Sequence, residues 1–247
     1  MNLLLFEQYE LDADRLFLSD QRAKHIHTVL KLKLGDTLRI GMVNSKMGCG
    51  KIINMDDNRI ELEVKLDCPP PPPPEIELIL ALPRPIMLQR ILKQATVMGV
   101  RRFHLIRSAK VEKSFFQTPV LEPKKIKGFL LEGLTQAVDT RLPEVLIHHR
   151  FKPFVQDIVP TLAGYRLIAH PGSATELPDA YPRSEEKKKI LLAVGPEGGW
   201  NDFEVDSFLT QEFSAFSMGE RILHVDTAVV ALLAQLKILQ IIQQPQP

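Results

Sequence analysis

Two glycine-containing loops in the C-terminal part of the chain have the composition of a ligand-binding site. They lie at residues 195–199 (GPEGG) and 217–220 (SMGE), and each follows an apolar run and precedes a predicted helix start. Because glycine has no Cβ, such loops let a ligand approach the backbone, whose N–H and C=O groups can read the edge of an adenine. The sequence therefore predicts a backbone-lined pocket for an adenosine-containing cofactor at the carboxyl ends of parallel strands.

Phosphate-binding motifs do not account for these loops. GPEGGW lacks the Lys-Ser/Thr pair of a P-loop and does not match G-x-G-x-x-G. The carboxylate of Glu197 would also repel a phosphate group. A turn that only connects a strand to a helix is the alternative for either loop alone, but two such loops within residues 195–220 favour a shared site.

The charged residues are distributed unevenly along the chain. Its 247 residues carry a net charge of +1, with 45% hydrophobic and 25% charged residues, as is ordinary for a soluble globular protein. Residues 84–127, however, contain eleven Lys or Arg and two acids, a local balance of +9, and residues 21–39 contain five Lys or Arg, one acid and two histidines. Such stretches are typical of a face that binds a polyanion, and solvated helix faces are the alternative.

The cysteines and the chain ends indicate a cytoplasmic protein without a metal. Cys49 and Cys68 have neither C-x-x-C nor metal-ligand spacing, so we predict no disulfide framework and no metal site. The first residues, MNLLLFEQYELD, lack the basic and apolar regions of a signal peptide. The apolar segment 228–242 is interrupted by polar residues and is too short to span a bilayer.

The pattern in the N-terminal part predicts a small β-rich domain at residues 1–68. A short helix capped by Asp20, strands at 37–42 and 59–66 and a loop at 44–50 suggest a compact barrel. Residues 69–74 are six consecutive prolines, which favour polyproline II and would form a semi-rigid linker. A ligand for a proline-recognition module is the less favoured interpretation of this run.

From residue 75 onward, apolar strands alternate with amphipathic helices, which predicts an α/β domain with a parallel sheet. The predicted strands lie at residues 76–82, 102–107, 166–169 and 190–194. Predicted helices end at Gly99, begin at Pro123 and begin after Asn201, where Glu204 completes a capping box. The last helix, from about residue 226, is apolar around most of its circumference, which predicts a partner subunit.

Both glycine loops resemble those of a known family. VGPEGGW at 194–200 and SMGERILHVDTAVVALLAQL at 217–236 are similar to the C-terminal signature of the bacterial small-subunit ribosomal RNA uracil-N3 methyltransferases, which belong to the SPOUT superfamily. Segments 25–36, 93–100 and 136–144 are similar to further motifs of the family, so the resemblance covers nearly the whole chain.

The resemblance implies an α/β protein with an N-terminal PUA-like RNA-binding β-barrel and a C-terminal SPOUT domain over 75–247, whose parallel sheet ends in a deep trefoil knot. It implies S-adenosylmethionine as the cofactor. It further implies a homodimer that methylates N3 of a uridine in 16S ribosomal RNA, either as free RNA or in the assembled small subunit.

The resemblance also implies which residues bind the cofactor and the RNA. The residues expected to contact the cofactor are Ala169, His170, Pro171, Val194, Gly195, Pro196, Glu197, Gly198, Gly199, Met218, Gly219, Ile222, Leu223 and Thr227. Those expected to bind RNA are His25, Lys31, Lys33, Arg84, Arg101, Arg102 and Arg141.

The chemistry requires a group that stabilises negative charge. Uracil N3 must lose its proton, and the resulting charge spreads onto the flanking carbonyl oxygens, where a positioned cation or N–H donor would help. The candidates for catalysis are Arg221, His224 and Asp226. Their structural alternatives are an ion pair between Arg221 and Glu197, a packing role for His224 and a helix N-cap at Asp226.

The chain departs from the family pattern where the substrate is expected. Family members usually have Arg-Thr-Glu where this chain has His224-Val225-Asp226, and Gln-small-Gly-Arg where residues 136–139 read QAVD. Lys31 replaces an arginine, which keeps the charge but loses the planar fork. Two alternatives follow: a related SPOUT enzyme that modifies another RNA position, and a diverged non-catalytic RNA-binding ribosome-assembly factor.

Overall fold

A computed structural model of the chain describes residues 2–56, 58–72, 75–182 and 189–242. It divides into two compact units, one comprising Met1–Pro72 and Leu131–Leu142 and the other Pro73–Leu130 and Pro143–Pro247. Residues 73 and 74, the last two prolines of the predicted linker, lie outside the described residues.

The first unit is built on a curled six-stranded sheet in the order β1-β4-β5-β6-β3-β2. The strands are β1 Leu4–Phe6, β2 Leu11–Asp12, β3 Arg15–Leu18, β4 Thr37–Met42, β5 Met47–Met55 and β6 Ile60–Cys68. β1 and β4 pair in parallel, and the other neighbours are antiparallel. Alternation along β6 buries Ile60 and Leu62 and leaves Glu63 in solvent, as the period-2 pattern predicts.

The loop expected at residues 44–50 is wrong in its second half, because β5 already begins at Met47. A Cβ on Gly48 would lie only 1.8 Å from the backbone carbonyl oxygen of Lys65. Glycine at this position therefore permits close approach of two strands rather than a turn. The predicted helix cap is confirmed, since the Asp20 carboxylate accepts the Arg22 N–H at 2.8 Å at the start of α1, Gln21–His25.

The second unit is built on a six-stranded, all-parallel sheet in the order β12-β10-β11-β7-β8-β9, which confirms the predicted parallel sheet. The strands are β7 Ile76–Ala81, β8 Arg102–Ile106, β9 Glu144–His148, β10 Tyr165–Ala169, β11 Ile190–Val194 and β12 Ser214–Phe216. β7 and β11 are buried along their whole length, as expected for central strands covered on both faces.

The helices that follow are α2 Pro85–Val97, α3 Pro123–Ala137, α4 Phe151–Pro153, α5 Leu177–Ala180, α6 Asp202–Thr210 and α7 Val225–Ile242. Short 3-10 helices lie at Gln8–Glu10, Lys113–Gln117, Pro119–Leu121 and Val159–Thr161, and π-helical turns at Ile26–Leu30 and Phe154–Ile158. The capping box of α6 is confirmed: Asn201 Oδ1 accepts the Glu204 N–H at 2.8 Å, and Glu204 Oε2 accepts the Asn201 N–H at 3.1 Å.

Among the described residues, α7 is the one helix that is long and apolar enough to cross a membrane by length and composition. The expectation of a segment too short to span a bilayer is therefore wrong on length, since the helix begins at Val225 and not at residue 228. Core helices of soluble proteins pass the same test of length and composition. Its residues Val229, Leu232, Leu233 and Leu236 are buried within the second unit. α7 packs against α2.

A buried polar cluster joins β7, β8 and β9. Glu77 Oε1 accepts hydrogen bonds from Lys189 Nζ at 2.8 Å and Arg102 Nη1 at 3.2 Å, and His104 Nδ1 lies 3.1 Å from His148 Nε2. Burial alone would raise the pKa of Glu77, but hydrogen bonds from His104 and Lys189 and the charges of Lys189 and Arg102 lower this pKa to about 2. Burial, followed by the charge of His104, lowers the pKa of His148 to about 4.

Acid is therefore expected to destabilise the folded chain in two steps. The folded state binds a proton on His148 less readily than the unfolded state, so stability falls as the pH drops from 6.5 to about 4. The contribution of Glu77 is complete above pH 4.5 and is lost toward about pH 2. Urea unfolding between pH 7 and pH 4 measures the first step, and His148→Gln should flatten it.

His224→Gln, a change at an exposed histidine, is the matched control and should leave this pH dependence unchanged. A His148→Gln variant that loses stability over the same interval as steeply as the wild-type chain would contradict the assignment.

Candidate functional site

The two glycine loops line one cavity at the carboxyl ends of β10, β11 and β12. Its volume is about 250 Å³, slightly below the range of about 300–1,000 Å³ that is usual for small-molecule sites. Thirteen of the fourteen residues expected to contact a cofactor line it, and Thr227 does not. Six further lining residues were not predicted from the sequence: Trp200, Phe216, Ser217, Val225, Ala228 and Leu232.

The strand ends bring these loops together. Because the strands are parallel, their carboxyl ends meet at one edge of the sheet. The N–H of His170, after β10, donates to the carbonyl of Phe216 at 2.8 Å, and the N–H of Ser217 donates to the carbonyl of Thr175 at 2.8 Å. The loop after β10 is thus tied to the second glycine loop.

The first glycine loop makes a tight turn and packs against the indole ring of Trp200. Gly199 has a φ of +67°, which favours glycine, and its N–H donates to the Pro196 carbonyl at 2.8 Å. A Cβ on Gly195 would lie 3.2 Å from the Trp200 ring, so glycine lets the indole pack directly against the loop. Lys110 Nζ donates to the Gly198 carbonyl at 2.7 Å.

Residues of helix α6 pack against the residue that follows the first glycine loop. Trp200 is buried, and its ring centroid lies 5.3 Å from that of Phe208, which is 0% exposed. Glu204 is 2% exposed and accepts the Ala109 N–H at 2.7 Å in addition to capping the helix. The carboxylate of Glu204 therefore anchors the start of α6 to the segment that follows β8.

The alternative ion pair between Arg221 and Glu197 does not form. Glu197 Oε1 instead accepts the backbone N–H of Arg84, the residue before α2, at 3.0 Å. Arg221 is exposed and lines the cavity. Within the described parts of the chain its guanidinium has no hydrogen bond or ion pair, which leaves it available to a ligand.

The other two catalytic candidates do not line the cavity. His224 is exposed, and its carbonyl accepts the Ala228 N–H at 2.8 Å at the start of α7. Asp226 is 9% exposed; its Oδ1 accepts the Thr227 N–H at 3.0 Å, and its Oδ2 lies 3.3 Å from Arg90 Nη1. Asp226 therefore joins α7 to α2 and lies inside the first turn of the helix, so it is not the N-cap. A catalytic role for His224 or Asp226 stays a prediction.

Four of the residues expected to bind RNA lie in the first unit. Lys31 and Lys33 are exposed, and His25 is half-buried. The N–H of Arg141 donates to the carboxylate of Asp139 at 2.9 Å. The two lysines are therefore accessible to a polyanion.

The other three lie in the second unit. Arg84 is exposed, and Arg101 is half-buried. Arg102 is engaged by carboxylates, with Nε 2.7 Å from Glu144 Oε2 and Nη1 3.2 Å from Glu77 Oε1. Since β8 begins at Arg102, these ion pairs lie at the amino end of the sheet, opposite the cavity. RNA binding by these residues stays a prediction.

Comparison with known proteins agrees with this architecture. The RNA methyltransferase domain family matches residues 70–237. A ribosomal RNA small subunit methyltransferase E from Treponema pallidum is 31% identical over 241 residues, which cover 95% of this chain and 90% of that protein.

Two solved structures have the same fold. A probable rRNA-methyltransferase from Porphyromonas gingivalis matches with a TM-score of 0.80 and 22% identity, over 99% of this chain and 100% of that one. The ribosomal RNA small subunit methyltransferase E from Neisseria gonorrhoeae bound to S-adenosyl methionine matches with a TM-score of 0.76 and 20% identity, over 96% and 98%.

These matches extend over both units and include the loops that line the cavity. The resemblance inferred from GPEGG and GERIL is confirmed, as is the predicted combination of an N-terminal β domain with a C-terminal α/β domain. The chain belongs to the RNA methyltransferase domain family and, within it, to the ribosomal RNA small subunit methyltransferase E family.

Proposed function

We propose that this chain transfers a methyl group from S-adenosylmethionine to N3 of a uridine in 16S ribosomal RNA. The observation that carries the proposal is the single cavity that both glycine loops line at the carboxyl ends of β10, β11 and β12. The name of the Treponema pallidum relative supports a small-subunit RNA substrate, and the ligand named for the Neisseria gonorrhoeae protein supports the cofactor.

The cavity has groups that suit this cofactor. His170 Nδ1 and Trp200 Nε1 are buried polar atoms with no hydrogen-bond partner among the described residues, and both residues line the cavity. Such atoms are costly to leave unpaired, so a polar ligand would satisfy them. The loop backbones and the side chains of Met218 and Leu223 would hold the cofactor, which supplies a methyl group on a positively charged sulfonium.

We propose that Arg221 stabilises the negative charge that develops on the uracil. When N3 loses its proton, negative charge spreads onto the two neighbouring carbonyl oxygens, and a positively charged group held beside them stabilises it. Arg221 lines the cavity, and its guanidinium is not committed to another described residue. The fixed loops contribute alignment, which an in-line methyl transfer requires.

A homodimer is part of the same proposal. Ile222, Ile238, Ile241 and Ile242 are 74%, 56%, 58% and 71% exposed, and they lie beside the cavity or along the end of α7. Ile238, Ile241 and Ile242 lie three and four residues apart on one face of α7, and exposed aliphatic side chains arranged in this way are the kind of surface that a partner subunit covers. The trefoil knot, RNA binding by the PUA-like N-terminal unit and a cytoplasmic location follow from the family resemblance and remain predictions.

Mass spectrometry of nucleosides tests the proposal. Small subunits that lack 3-methyluridine are incubated with the chain and S-adenosylmethionine, and their RNA is digested to nucleosides. We expect 3-methyluridine to appear only when both the chain and the cofactor are present. A methyl group on a different nucleoside would favour the related-enzyme alternative, and RNA binding without any methylated nucleoside would favour the assembly factor.

A further inference from the structure

A groove in the second unit adjoins the first glycine loop and was not predicted from the sequence. Its volume is about 600 Å³, and its walls come from the segments after β8 and β9 and from the start of α6. Trp200 lines the cofactor cavity, and the next residue, Asn201, lines the groove. The cavity and the groove are therefore lined by consecutive residues of one loop.

The groove is positively charged. Arg107, Arg150 and Lys152 line it, and the last two are exposed. The acid among its described lining residues is Glu204, which is 2% exposed and accepts backbone N–H groups on both carboxylate oxygens. The charge that the groove presents to solvent is thus that of its cations, which suits a polyanion.

An exposed aromatic ring lies among these cations. Phe203 is 52% exposed. Lys152 Nζ lies 5.1 Å from the centre of the Phe203 ring, and the centroids of the Phe203 and Phe151 rings are 6.2 Å apart. An exposed aromatic ring beside several cations is the arrangement on which bases of single-stranded nucleic acids stack. The aromatic ring distinguishes this groove from a site for a simple anion.

A buried hydroxyl provides independent support for a polar ligand. Ser108 lines the groove and is 3% exposed, and its Oγ has no hydrogen-bond partner among the described residues. A buried hydroxyl without a hydrogen-bond partner is unfavourable, and a bound polar group would supply the missing partner.

We propose that this groove binds a single-stranded segment of the substrate RNA next to the nucleotide that is methylated. Arg150 and Lys152 contact phosphates, and Phe203 stacks on a base. Lys110, whose Nζ holds the Gly198 carbonyl at 2.7 Å, couples the segment after β8 to the cofactor loop. The inference rests on the proposed function, since it names the surface that presents the substrate to that site.

Fluorescence anisotropy with a labelled single-stranded oligouridine, measured over a series of salt concentrations, tests the groove. Arg150→Ala combined with Lys152→Ala should weaken binding and reduce the slope of log K against log salt by about 1.4, the value for two lost phosphate contacts to a single strand. Phe203→Ala should weaken binding about 5- to 150-fold and leave the slope unchanged.

Matched changes outside the groove serve as controls. Lys124→Ala with Lys125→Ala removes two exposed cations on α3, which belong to the basic stretch 84–127 but do not line the groove. Leu209→Ala truncates an exposed apolar residue on α6. Both should retain the wild-type affinity and slope. Circular dichroism and S-adenosylmethionine binding should be the same in all variants, which shows that the groove variants are folded.

An unchanged affinity and slope in both groove variants would overturn the inference. Normal binding of isolated RNA together with lost binding of the assembled small subunit would identify a protein as the occupant and would overturn it as well. Lost RNA binding in the groove variants, with no methylated nucleoside from the wild-type chain, would support the groove and refute the proposed function. Methylation by the groove variants with wild-type kcat and KM would support the proposed function and refute the role of the groove.

Discussion

Replacing Arg221 with alanine is expected to lower kcat for methyl transfer about 100- to 1,000-fold, the usual effect of removing one group that stabilises developing negative charge. Arg221 lines the cavity, and its guanidinium is not held by another described residue, so its loss removes the cation to which we assign charge stabilisation and disturbs no ion pair. Single-turnover methylation of small-subunit RNA measures the effect directly.

Two comparisons make the Arg221 result specific. Arg221→Lys keeps a positive charge but loses the planar fork, so we expect a smaller loss of kcat. Lys124→Ala, which removes an exposed cation on α3, should leave kcat unchanged. An Arg221→Ala variant with wild-type kcat, or one whose entire loss is in cofactor affinity, would exclude a role in stabilising charge on the substrate.

Replacing Phe208 with alanine should lower the free energy of unfolding by about 3–5 kcal/mol, because the change leaves a cavity in a packed aromatic cluster. The ring is 0% exposed, and its centroid lies 5.3 Å from that of Trp200, 4.8 Å from that of Phe213 and 5.6 Å from that of Phe151. Since Trp200 packs under the first glycine loop, cofactor affinity should fall as well.

Urea unfolding measures this effect, and the next residue supplies its control. Leu209 is 44% exposed on the same helix, so Leu209→Ala should cost no more than about 1 kcal/mol. Equal losses in the two variants would show that the aromatic cluster does not support the loop in the way described.

The sequence predicts central strands better than edge strands. β4 and β11 have the bounds expected from alternation and from an unbroken apolar run. β9 and β12 were not predicted, and both lie at the edges of the parallel sheet. An edge strand has one neighbour and needs no continuous apolar pattern, and β12 has only three residues, so its pairing with β10 depends on tertiary structure.

The same contrast applies to the functional site. The cavity is lined mainly by contiguous motifs, so nearly all of its residues could be predicted. Val225, Ala228 and Leu232 were missed because they reach the cavity through the helical period of α7, which also turns Thr227 away into solvent. The groove joins segments from three distant parts of the chain, and no local pattern indicates that Phe203 and Lys152 meet.

Titration calorimetry with S-adenosylmethionine tests whether the two glycine loops form one cofactor site. A Cβ on Gly195 would lie 3.2 Å from the Trp200 ring, whereas one on Gly128 would have no neighbour within 4 Å. We predict one binding site per wild-type chain, clearly weaker binding by Gly195→Ala and unchanged binding by Gly128→Ala. No binding heat from the wild-type chain at high cofactor concentration would contradict a cofactor site at these loops. Equal affinities in the wild-type and Gly195→Ala chains would contradict it as well.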